Sequence, residues 1–473
     1  MTEIDTNRLL EVGIALTREK DIDILLETIL TAAMDFTDCD GGTLYTKGED
    51  SLTFRTMITR SQNVFKNGKN EPITLPPVPL SRGNVCAFAA IENKIVNISD
   101  VYNSTEWDFA GPRNYDAMTG YKTTSMLVIP MQNNRDEVIG VLQLINAQDE
   151  NGKVTPFDSG YERVILSLSS QAAMQFTNIN YAAEIEALLD SFVRVMSSAI
   201  DERSHYTANH SKNMTTYAKR FIAWLQRTGN EWQFSDIEKR QFLMSVQLHD
   251  VGKLVIPLEV MDKESRLGGL LPEIEHRFSV LLLQNKIDLL DGRITVEVFD
   301  EKTRQINDAL QLIHKANNAS FLQDETIEKI RSLADPAASL LQPHEAVLLS
   351  IRKGTLSDEE RRTIESHVVI TAKLLDEINF PKDYENVKNW ASQHHEHLNG
   401  KGYPNHLSGE EIPRETRLLT IIDVFDSLTA QDRPYKPAMP VEKTLGILET
   451  MVKDGQIDGE ILSLFIESAP WKD

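Results

Sequence analysis

The distribution of histidine divides this chain more sharply than any other feature. All 11 histidines lie between His205 and His406, and the preceding 204 residues contain none. Residues of the first part follow an α/β pattern, whereas the second part shows helical periodicity almost throughout. We therefore expect at least two domains, with imidazole chemistry confined to the second. The length of 473 residues is sufficient for two to four domains.

Composition limits the partners and the compartment. The formal net charge of −22 argues against a general nucleic-acid binder, because phosphate contacts need a basic surface. No apolar run is long enough to span a membrane, and the polar N-terminus is unlike a signal peptide. Cys39 and Cys86 have no metal-ligand spacing, and their scarcity fits a reducing compartment. We therefore expect a cytoplasmic protein that has no membrane span and binds no nucleic acid.

Residues 1–175 carry the pattern of one α/β domain. Apolar residues recur at helical spacing through 9–36, and a closing helix is expected over 157–177. The strand-like segments between them are 41–45, 52–57, 94–98, 125–130 and 138–146. The last two are predicted to pair as a hairpin, because a short polar turn separates them.

The stretch SMLVIPM…EVIGVLQLINA…FD within this pattern resembles a GAF domain, and the resemblance covers nearly all of 1–175. It implies an antiparallel sheet with flanking helices. GAF domains that bind cyclic nucleotides carry Asn-Lys and a later Phe-x-x-x-Asp-Glu. Here Ala147 follows Asn146, and Asp158 directly follows Phe157. No histidine is available to hold haem. The domain is therefore expected either to sense an unidentified small molecule or only to dimerise.

Residues 176–201 link the two parts and carry one apolar stripe. Its members recur at spacings of three and four, and they are Ile185, Leu188, Leu189, Phe192, Met196, Ala199 and Ile200. A continuous helix with such a stripe can pair with its copy in a second subunit, or it can pack on its own domain. Both interpretations stay open, and a homodimer is the assembly that we expect.

Five stretches of the second part can supply metal ligands. They lie at 206–210, 248–253, 365–367, 394–396 and 422–426. They combine imidazoles with carboxylates and contain no thiolate. This donor set argues against a structural zinc site and against an all-oxygen magnesium or calcium cage. It favours iron or manganese, with zinc and nickel as alternatives.

Helix geometry limits how these ligands can share an ion. Neighbours on a helix point about 100° apart, so His394 and His395 are expected to serve two adjacent ions. The carboxylate of Asp250 can bridge two ions while His249 binds one of them. Lys253 lies one turn beyond His249, where its ammonium can hold a phosphate.

Residues 199–473 resemble an HD-GYP domain, the subset of HD phosphohydrolases that cleave cyclic dinucleotides. The resemblance rests on YTANH, HDVGK, ESHVVITAKLL, HHEHLNGKGYP and IIDVFDSLTAQDRPYK. The metal ligands that it implies are His210, His249, Asp250, His367, His394, His395 and Asp423. The residues that it places against the substrate phosphates are Lys253, Arg433 and Lys436.

The same resemblance implies an all-α, HD-type helical bundle over 202–473. More than 100 residues separate Lys253 from His367, so 258–355 is expected to be an inserted subdomain of three or four helices. Its His276, His314 and His344 have no motif around them and are expected to be structural or exposed. A third metal is left open, since Tyr206 lies one turn before His210 and Glu202 lies two turns before it.

The activity implied by the resemblance is hydrolysis of a 3′,5′-phosphodiester of cyclic di-GMP, giving linear pGpG or, after a second cut, GMP. Two divalent ions, with iron favoured, would act together with Asp250 and Lys253. Glu396 is expected to orient a metal ligand or a water molecule without binding the metal itself. Gly402 and Tyr403 are expected to approach the substrate. His397 occupies a variable position of the signature and is predicted not to be a ligand.

The GAF domain is expected to regulate the activity. A different cyclic dinucleotide or nucleotide is the alternative substrate. The second alternative is a non-catalytic, metal-containing signalling module.

Overall fold

The computed structural model describes residues 3–67, 71, 73–203, 209–335, 339–430 and 438–472. Contacts divide the chain into two units, Met1–Leu188 and Leu189–Asp473. The first contains the sheet, and the second is helical. The expected fold class, an α/β domain followed by an all-α domain, is confirmed. The predicted boundaries at 175 and 201 stay predictions.

The described residues of the first unit form an eight-stranded antiparallel sheet. Its main path has the order β3-β2-β1-β7-β6-β5, with β4 pairing β2 and β8 pairing β7. The strands are β1 Cys39–Lys47, β2 Ser51–Thr59, β3 Val64–Asn67, β4 Val78–Pro79, β5 Val96–Ile98, β6 Met126–Gln132, β7 Val138–Gln148 and β8 Val154–Thr155. The predicted hairpin is confirmed, because β6 pairs with β7 and places Leu127 opposite Leu144.

Five helices in the described ranges accompany this sheet. They are α1 Glu3–Arg18, α2 Ile22–Phe36, α3 Val85–Glu92, α4 Ala110–Thr119 and α5 Glu162–Arg203. The helical segment predicted over 9–36 consists of two helices, α1 and α2. The side chain of Asp21 accepts hydrogen bonds from the N–H groups of Asp23 and Ile24, and this cap starts a second helix. Residues of α2 and α5 cover one face of the sheet and form its main core.

The described residues of the second unit are mainly helical. Their β-structure is limited to isolated bridges. The helices that surround the histidine-rich stretches are α6 His210–Thr228, α7 Asp236–Leu248, α13 Asp358–Glu365, α14 His367–Asp376, α15 Val387–Ser392, α16 Arg414–Thr429, α17 Val441–Lys453 and α18 Gly459–Ser468. Aromatic and aliphatic side chains of α6, α7, α16 and α18 form the core of this bundle. The core holds the ends of several helices together at one place.

The described residues of the predicted inserted segment form five helices rather than three or four. They are α8 Leu258–Met261, α9 Leu271–Leu290, α10 Val296–Asn318, α11 Asp324–Ser332 and α12 Pro343–Leu349. Residues from Leu267 to Leu349 share a hydrophobic core of their own. The guanidinium of the fully buried Arg266 donates to the carbonyls of Ile351, Ala316 and Ala319, which ties the segment's ends together.

Helix α5 is continuous over 42 residues and has two different faces. Leu189, Val193, Met196 and Ile200 pack into a core of the second unit. Ile185, Leu188 and Phe192 are exposed. The predicted single stripe is therefore two faces. None of the helices in the described ranges combines the length and apolar character that crossing a membrane requires.

Candidate metal centre

The histidines and aspartates of the five motif stretches meet where several helices begin or end. His210 and His367 are the first residues of α6 and α14, and His249 directly follows α7. His394 and His395 follow the end of α15 by two and three residues. Helix ends suit a ligand site, because side chains there project beyond the last turn instead of packing along the helix. Asp423 projects from within α16.

Asp250 lies at the centre of the cluster and faces histidines with both oxygens. Its Oδ2 lies 3.3 Å from His249 Nε2 and 3.9 Å from His210 Nε2. Its Oδ1 lies 3.4 Å from His367 Nε2 and 3.9 Å from His394 Nε2. One carboxylate thus connects two groups of imidazoles, as the bridging role predicted for Asp250 requires.

Three of the rings are oriented by their own helix ends. The Nδ1 atoms of His249, His367 and His394 each lie 2.7–2.8 Å from the carbonyl oxygen three residues earlier. Such a bond places the proton on Nδ1, because a carbonyl can only accept. The lone pair of each Nε2 is therefore left for a cation, in the arrangement that metal-binding histidines usually have.

His210 is oriented by a carboxylate instead. Its Nδ1 lies 2.7 Å from Asp426 Oδ2, and its Nε2 lies 3.3 Å from Asp423 Oδ1. Burial would lower the pKa of His210, but hydrogen bonds to Asp423 and Asp426 outweigh it and raise the pKa to about 10. A proton and a metal ion would compete for the same Nε2 lone pair. The paired carboxylates thus make this position strongly attractive to positive charge.

Several buried ligand atoms at the centre have no protein partner in the described parts of the chain. Among the described residues, the Nε2 atoms of His249, His367 and His394 and Oδ1 of Asp250 are buried without a hydrogen-bond partner. Leaving one such atom unpaired costs roughly 1–3 kcal/mol, so a cluster of four is costly unless something binds there. Divalent cations fit, because every atom concerned is a ligand atom that offers a lone pair. Two groups have mutually close ligand atoms, namely His367–His394–His395 and His210–His249–Asp250.

Imidazoles in the first of these groups are held neutral. Burial lowers the pKa of His395 to about 3 and lowers the pKa of His394 well below its usual range. Burial also lowers the pKa of His367. Each shift arises because desolvation disfavours the imidazolium. Neutral imidazole is the form that binds metals.

Close backbone packing sets the distance between the two groups. A Cβ atom on Gly252 would lie 2.0 Å from the carbonyl oxygen of His367, so only glycine fits there. Thr371 joins the same elements, since its hydroxyl donates to the carbonyl of His249 and accepts the N–H of Gly252, both at 3.0 Å. Asp250 and His367 are thereby fixed relative to each other.

Lys253 lies beside the centre on the accessible side. Its Nζ is 2.5 Å from Asp250 Oδ2, and its side chain is 24% exposed. Burial would raise the pKa of Asp250, but electrostatic interactions with the His249 ring and with the Lys253 ammonium hold it well below the usual range. The ammonium thus lies next to the ligand atoms and can also reach a group that enters from solvent.

The premise behind separate roles for His394 and His395 is wrong. Helix α15 ends at Ser392, and both histidines lie in the turn that follows, so the helical angle of about 100° does not apply. Their ring centroids are 4.1 Å apart, and the ligand atoms of both lie near that of His367. The geometry therefore allows His394 and His395 to bind the same ion. Their assignment to two ions stays a prediction.

The loop after these histidines is held together internally. Both carboxylate oxygens of Glu396 accept backbone N–H groups, from Asn405 at 2.6 Å and Leu407 at 3.0 Å. A Cβ on Gly402 would lie 2.3 Å from the nitrogen of His397. The close approach expected of Gly402 is therefore to its own chain, and Glu396 fixes the loop. Their predicted contacts with a ligand, a water or the substrate stay predictions.

Tyr403 covers one side of the centre. Its ring stacks on His395, with centroids 4.9 Å apart and planes 29° apart. Its backbone N–H donates to the carbonyl of His395 at 3.1 Å. The loop thus places an aromatic face and a phenol beside the least buried of the clustered histidines, where a substrate contact was predicted.

Several predicted residues lie elsewhere. Arg433, Lys436 and Tyr206 lie outside the described residues. Glu202 is exposed near the end of α5, and in the described parts His397 belongs to neither metal-ligand group. In the inserted segment, His276 and His344 are exposed, and His314 pairs with Glu275 at 3.3 Å. These three agree with the expectation of structural or exposed histidines.

Three positioning residues escaped the sequence reasoning. They are Asp426, Thr371 and Thr420. The hydroxyl of Thr420 donates to the carbonyl of His394 at 2.7 Å. Asp426 is three residues beyond Asp423 and Thr371 is four beyond His367, so both share a helix face with a predicted ligand. This spacing could have identified Asp426 and Thr371 from the sequence.

Two protein-family profiles match the sequence. The GAF domain profile matches residues 21–176, and the HD domain profile matches residues 295–461. The second range includes His367, His394, His395 and Asp423, whereas His210, His249 and Asp250 precede it. It also begins inside the segment that was predicted to be an insertion.

Curated relatives match shorter parts of the chain. A 3′3′-cGAMP-specific phosphodiesterase 3 of Vibrio cholerae serotype O1 is 38% identical over 98 residues, which is 21% of this chain and 20% of that protein. The cyclic di-GMP phosphodiesterase response regulator RpfG of Xanthomonas campestris pv. campestris is 47% identical over 58 residues, or 12% and 15%. A cyclic di-GMP phosphodiesterase of Thermotoga maritima is 31% identical over 101 residues, or 21% and 27%. The matches thus span about a quarter or less of these relatives' lengths.

Proposed function

We propose that this chain, which joins a GAF domain to an HD domain, is a metal-dependent phosphodiesterase that hydrolyses a cyclic dinucleotide. One observation carries the proposal. Both oxygens of the buried Asp250 face imidazole nitrogens, and several of these atoms have no protein partner among the described residues. Such a carboxylate between two sets of imidazole donors suits a centre of two divalent ions.

The metal ligands that we propose are His210, His249, Asp250, His367, His394, His395 and Asp423. Divalent ions held there would activate a water molecule and offset negative charge on a phosphate. Iron is favoured by the mixed imidazole and carboxylate donors, with manganese, nickel and zinc as alternatives. Whether a third ion binds is left to metal analysis.

The chain's own residues supply the other parts of phosphodiester hydrolysis. Lys253 offers an ammonium beside Asp250, where it can bind a non-bridging phosphate oxygen and stabilise charge that develops in the transition state. Tyr403 stacks one face of its ring on His395. A base or ribose can pack on the opposite face of the ring. Asp426 keeps Nε2 of His210 directed at the centre. No covalent nucleophile from the protein is needed, because water attacks phosphorus directly.

Two substrates compete within this proposal. Cyclic di-GMP, cleaved to pGpG or onwards to GMP, is our first candidate, supported by the HD-GYP signature and by the names of two relatives. A mixed cyclic dinucleotide is the second, because the relative with 38% identity is named for 3′3′-cGAMP. Both contain the same phosphodiester linkage, so the difference would lie in the contacts made by one base.

The test is a paired turnover assay on metal-loaded full-length protein, purified without oxygen and analysed for metal content. Cyclic di-GMP and 3′3′-cGAMP are supplied separately, and linear products are separated from mononucleotides. We expect kcat/KM for one of them to exceed the other at least tenfold, and His249→Ala to abolish turnover. Metal-loaded protein that cleaves neither would overturn the proposal in favour of a non-catalytic signalling module. An Asp308→Asn variant, changed at an exposed site in the inserted segment, is the matched control.

The GAF domain is proposed as the regulatory part. It contains a cavity of about 390 Å³ that apolar side chains dominate, among them Tyr45, Phe54, Met57, Cys86 and Met126. Asp108 is the only charged residue among its described lining residues. A cyclic nucleotide would place a phosphate there without a cationic partner, which is unfavourable. We therefore propose an uncharged, largely apolar ligand.

Thermal shift measurements on the full chain test this ligand class. Uncharged aromatic compounds are expected to raise the melting temperature of the GAF transition and to change kcat, whereas cyclic GMP and cyclic AMP are expected to do neither. Micromolar binding of a cyclic nucleotide would contradict the class, and binding without any change in kcat would contradict the regulatory role.

Cys39 and Cys86 are both free and buried, which fits the cytoplasmic location that we propose.

A further inference from the structure

A cleft of about 570 Å³ opens where the inserted segment meets helix α13. Its walls come from α11 and α12, from the chain that joins α12 to α13, and from the start of α13. Its described lining residues all belong to the second unit, and none of them is a proposed metal ligand. The volume is within the range of roughly 300–1,000 Å³ that is typical of pockets for small organic ligands.

The charge of this lining is opposite to that of the whole chain. The 13 described lining residues include one acid, Asp358, and four cations, Arg331, Arg352, Lys353 and Arg361. In the whole chain, 71 acidic residues outnumber 49 lysines and arginines. A concave surface lined by one sign of charge concentrates its electric field and attracts ions of the other sign. The cleft is therefore expected to attract anions.

Two of the four cations have an acidic partner, but both ion pairs are exposed. Arg331 lies 3.1 Å from Glu328, and Arg352 pairs with Asp324, with more than half of each side chain exposed. Exposed pairs of this kind contribute little to stability, so either arginine can turn to another anion at little cost. The other two cations are exposed and form no ion pair within the described parts of the chain.

The lining also contains a hydroxyl without a partner. The Oγ atom of Ser350 is buried and forms no hydrogen bond with the described residues. Unpaired buried polar atoms are uncommon in native proteins, and a phosphate oxygen in the cleft would be an acceptor for this hydroxyl. Ala346, Ile351 and Leu356 add apolar surface on which the organic part of a ligand can pack.

Two buried cations outside the lining hold the walls in place. The guanidinium of Arg266 donates to the carbonyl of Ile351 at 2.7 Å. The ammonium of Lys263, whose side chain is 5% exposed, lies 2.7 Å and 2.8 Å from the two carboxylate oxygens of Glu360 on α13. Walls that are fixed before a ligand arrives lower the entropy cost of binding it.

Helix α13 connects the cleft to the metal centre. It begins at Asp358 in the cleft wall, and the proposed ligand His367 follows two residues after its end. Burial raises the pKa of Tyr403, and the positive charge of Arg361 opposes this rise, so the guanidinium lies in the neighbourhood of that phenol. The cleft is thus a neighbour of the metal centre and has a lining of its own.

We propose that this cleft is a second binding site, which takes a nucleotide with two or more phosphate groups. Arginines bind a phosphate through paired hydrogen bonds, and Lys353 adds a compact positive charge. Four cations against one acid suit a ligand with several negative charges, such as a nucleoside triphosphate or a linear dinucleotide with a 5′-phosphate. The proposal concerns binding alone and does not depend on the reaction at the metal centre.

Calorimetric titration of the full-length, metal-loaded protein tests the ligand class. GTP and pGpG are supplied separately, and the tighter of the two shows which source of the phosphates the cleft prefers. Pyrophosphate is expected to bind roughly tenfold more weakly than that nucleotide, and guanosine is expected not to bind. Binding of neither nucleotide would overturn the proposal, and pyrophosphate that binds as tightly as both would overturn the assignment to a nucleotide.

A double variant tests the location. Arg352→Ala/Lys353→Ala is expected to weaken binding roughly tenfold or more, whereas Arg361 is left unchanged because it also lies near Tyr403. Both substituted side chains are exposed, so the fold is expected to be retained. The matched control is Lys302→Ala/Arg304→Ala, which removes one lysine and one arginine from exposed positions of α10. Unchanged affinity in the first variant, or an equal loss in the control, would overturn the proposal.

A third variant tests the cleft in the opposite direction. Asp358→Asn removes the acid of the described lining and is expected to bind the nucleotide several-fold more tightly, because the repulsion between its carboxylate and the phosphates is lost. A gain in affinity cannot result from misfolding. Asp308→Asn, which makes the same change of charge at an exposed position of α10, is expected to bind like the wild type. An Asp358→Asn variant without this gain would contradict the proposed site.

Discussion

Each unit contains a buried aspartate at the centre of a polar cluster, and the two clusters are built in opposite ways. In the sheet domain, Asp40 accepts the N–H of Ser61 at 2.9 Å, the hydroxyl of Ser61 at 2.6 Å and the hydroxyl of Tyr121 at 2.6 Å. In the helical unit, Asp250 faces several imidazoles, and its Oδ1 accepts no hydrogen bond among the described residues. Burial is similar, at 6% and 1% exposure.

The difference lies in whether the polar atoms satisfy one another. Around Asp40, the side chain of Asn146 completes the network by donating to Tyr121 Oη at 2.9 Å and accepting the N–H of Thr124 at 2.6 Å. A closed network of this kind fixes a fold. Around Asp250, several nitrogen and oxygen atoms that carry lone pairs but no hydrogen lie close together, so they cannot form hydrogen bonds with one another. Natural proteins tolerate such unpaired atoms at sites that bind a ligand or an ion. Three substitutions test this comparison.

The largest effect is expected for Asp250→Asn. Its amide removes the negative charge shared by the two imidazole groups and presents an N–H to atoms that need a cation. We expect bound metal to fall to trace levels and turnover of the cyclic dinucleotide to fall by roughly 1,000-fold or more. Elemental analysis and the turnover assay measure both quantities. Full metal occupancy in this variant would mean that Asp250 is not a bridging ligand.

The second test addresses the closed network. Asn146→Ala deletes the side chain that satisfies Thr124 and Tyr121, and it places alanine at a φ of 58°. Buried groups left unpaired are expected to make the sheet domain less stable by roughly 3 kcal/mol. Denaturant unfolding followed by tyrosine fluorescence measures this change, with Asn103→Ala, at an exposed loop, as control. Metal content should match the wild type. A loss of metal would show that the two clusters are not independent.

The smallest effect is expected for Asp426→Asn. The asparagine can keep the contact to His210 Nδ1 but not its charge, so the ring is held less firmly. Loss of such a supporting carboxylate typically costs 10- to 100-fold in metal affinity or activity. Competition with a chelator measures the affinity, and Asp308→Asn controls for the change of charge. Unchanged affinity would reduce Asp426 to a residue that only stabilises the bundle.

Much of the fold and of the site could be predicted because short-range patterns encode them. Alternating apolar residues identified the β6–β7 hairpin. Motif matching selected Asp250 together with His210, His249, His367 and His394, whose ring nitrogens the structure places near its carboxylate. What could not be predicted depends on where helices end. The assumption of a helix through His394 and His395 was wrong because α15 ends at Ser392. Asp21 splits the first helical segment by a side-chain cap that periodicity does not reveal.

Other features depend on contacts that the motif spacing does not show. The loop's own backbone contacts the carboxylate of Glu396 and packs closely against Gly402, whereas their predicted roles towards a ligand, a water or the substrate stay predictions. The apolar stripe of the connecting helix is continuous in sequence, but only part of it is covered by the second unit's core. The spacing of three residues from Asp423 marks Asp426 as a candidate, but its contact with His210 also requires that α6 and α16 be adjacent, which no pattern within either helix specifies.

The hydrogen bonds from Nδ1 of His249, His367 and His394 to carbonyls three residues earlier have a consequence for how the centre would be loaded. The direction of each Nε2 lone pair is set as soon as the helix end that orients its ring forms, before any ion arrives. Little side-chain entropy then remains to be lost on binding, since the rings need not search for their orientation. The slow step of uptake should therefore be the shedding of water by the incoming ion. Ions that exchange their water quickly are expected to enter first, whichever ion the finished centre binds most tightly.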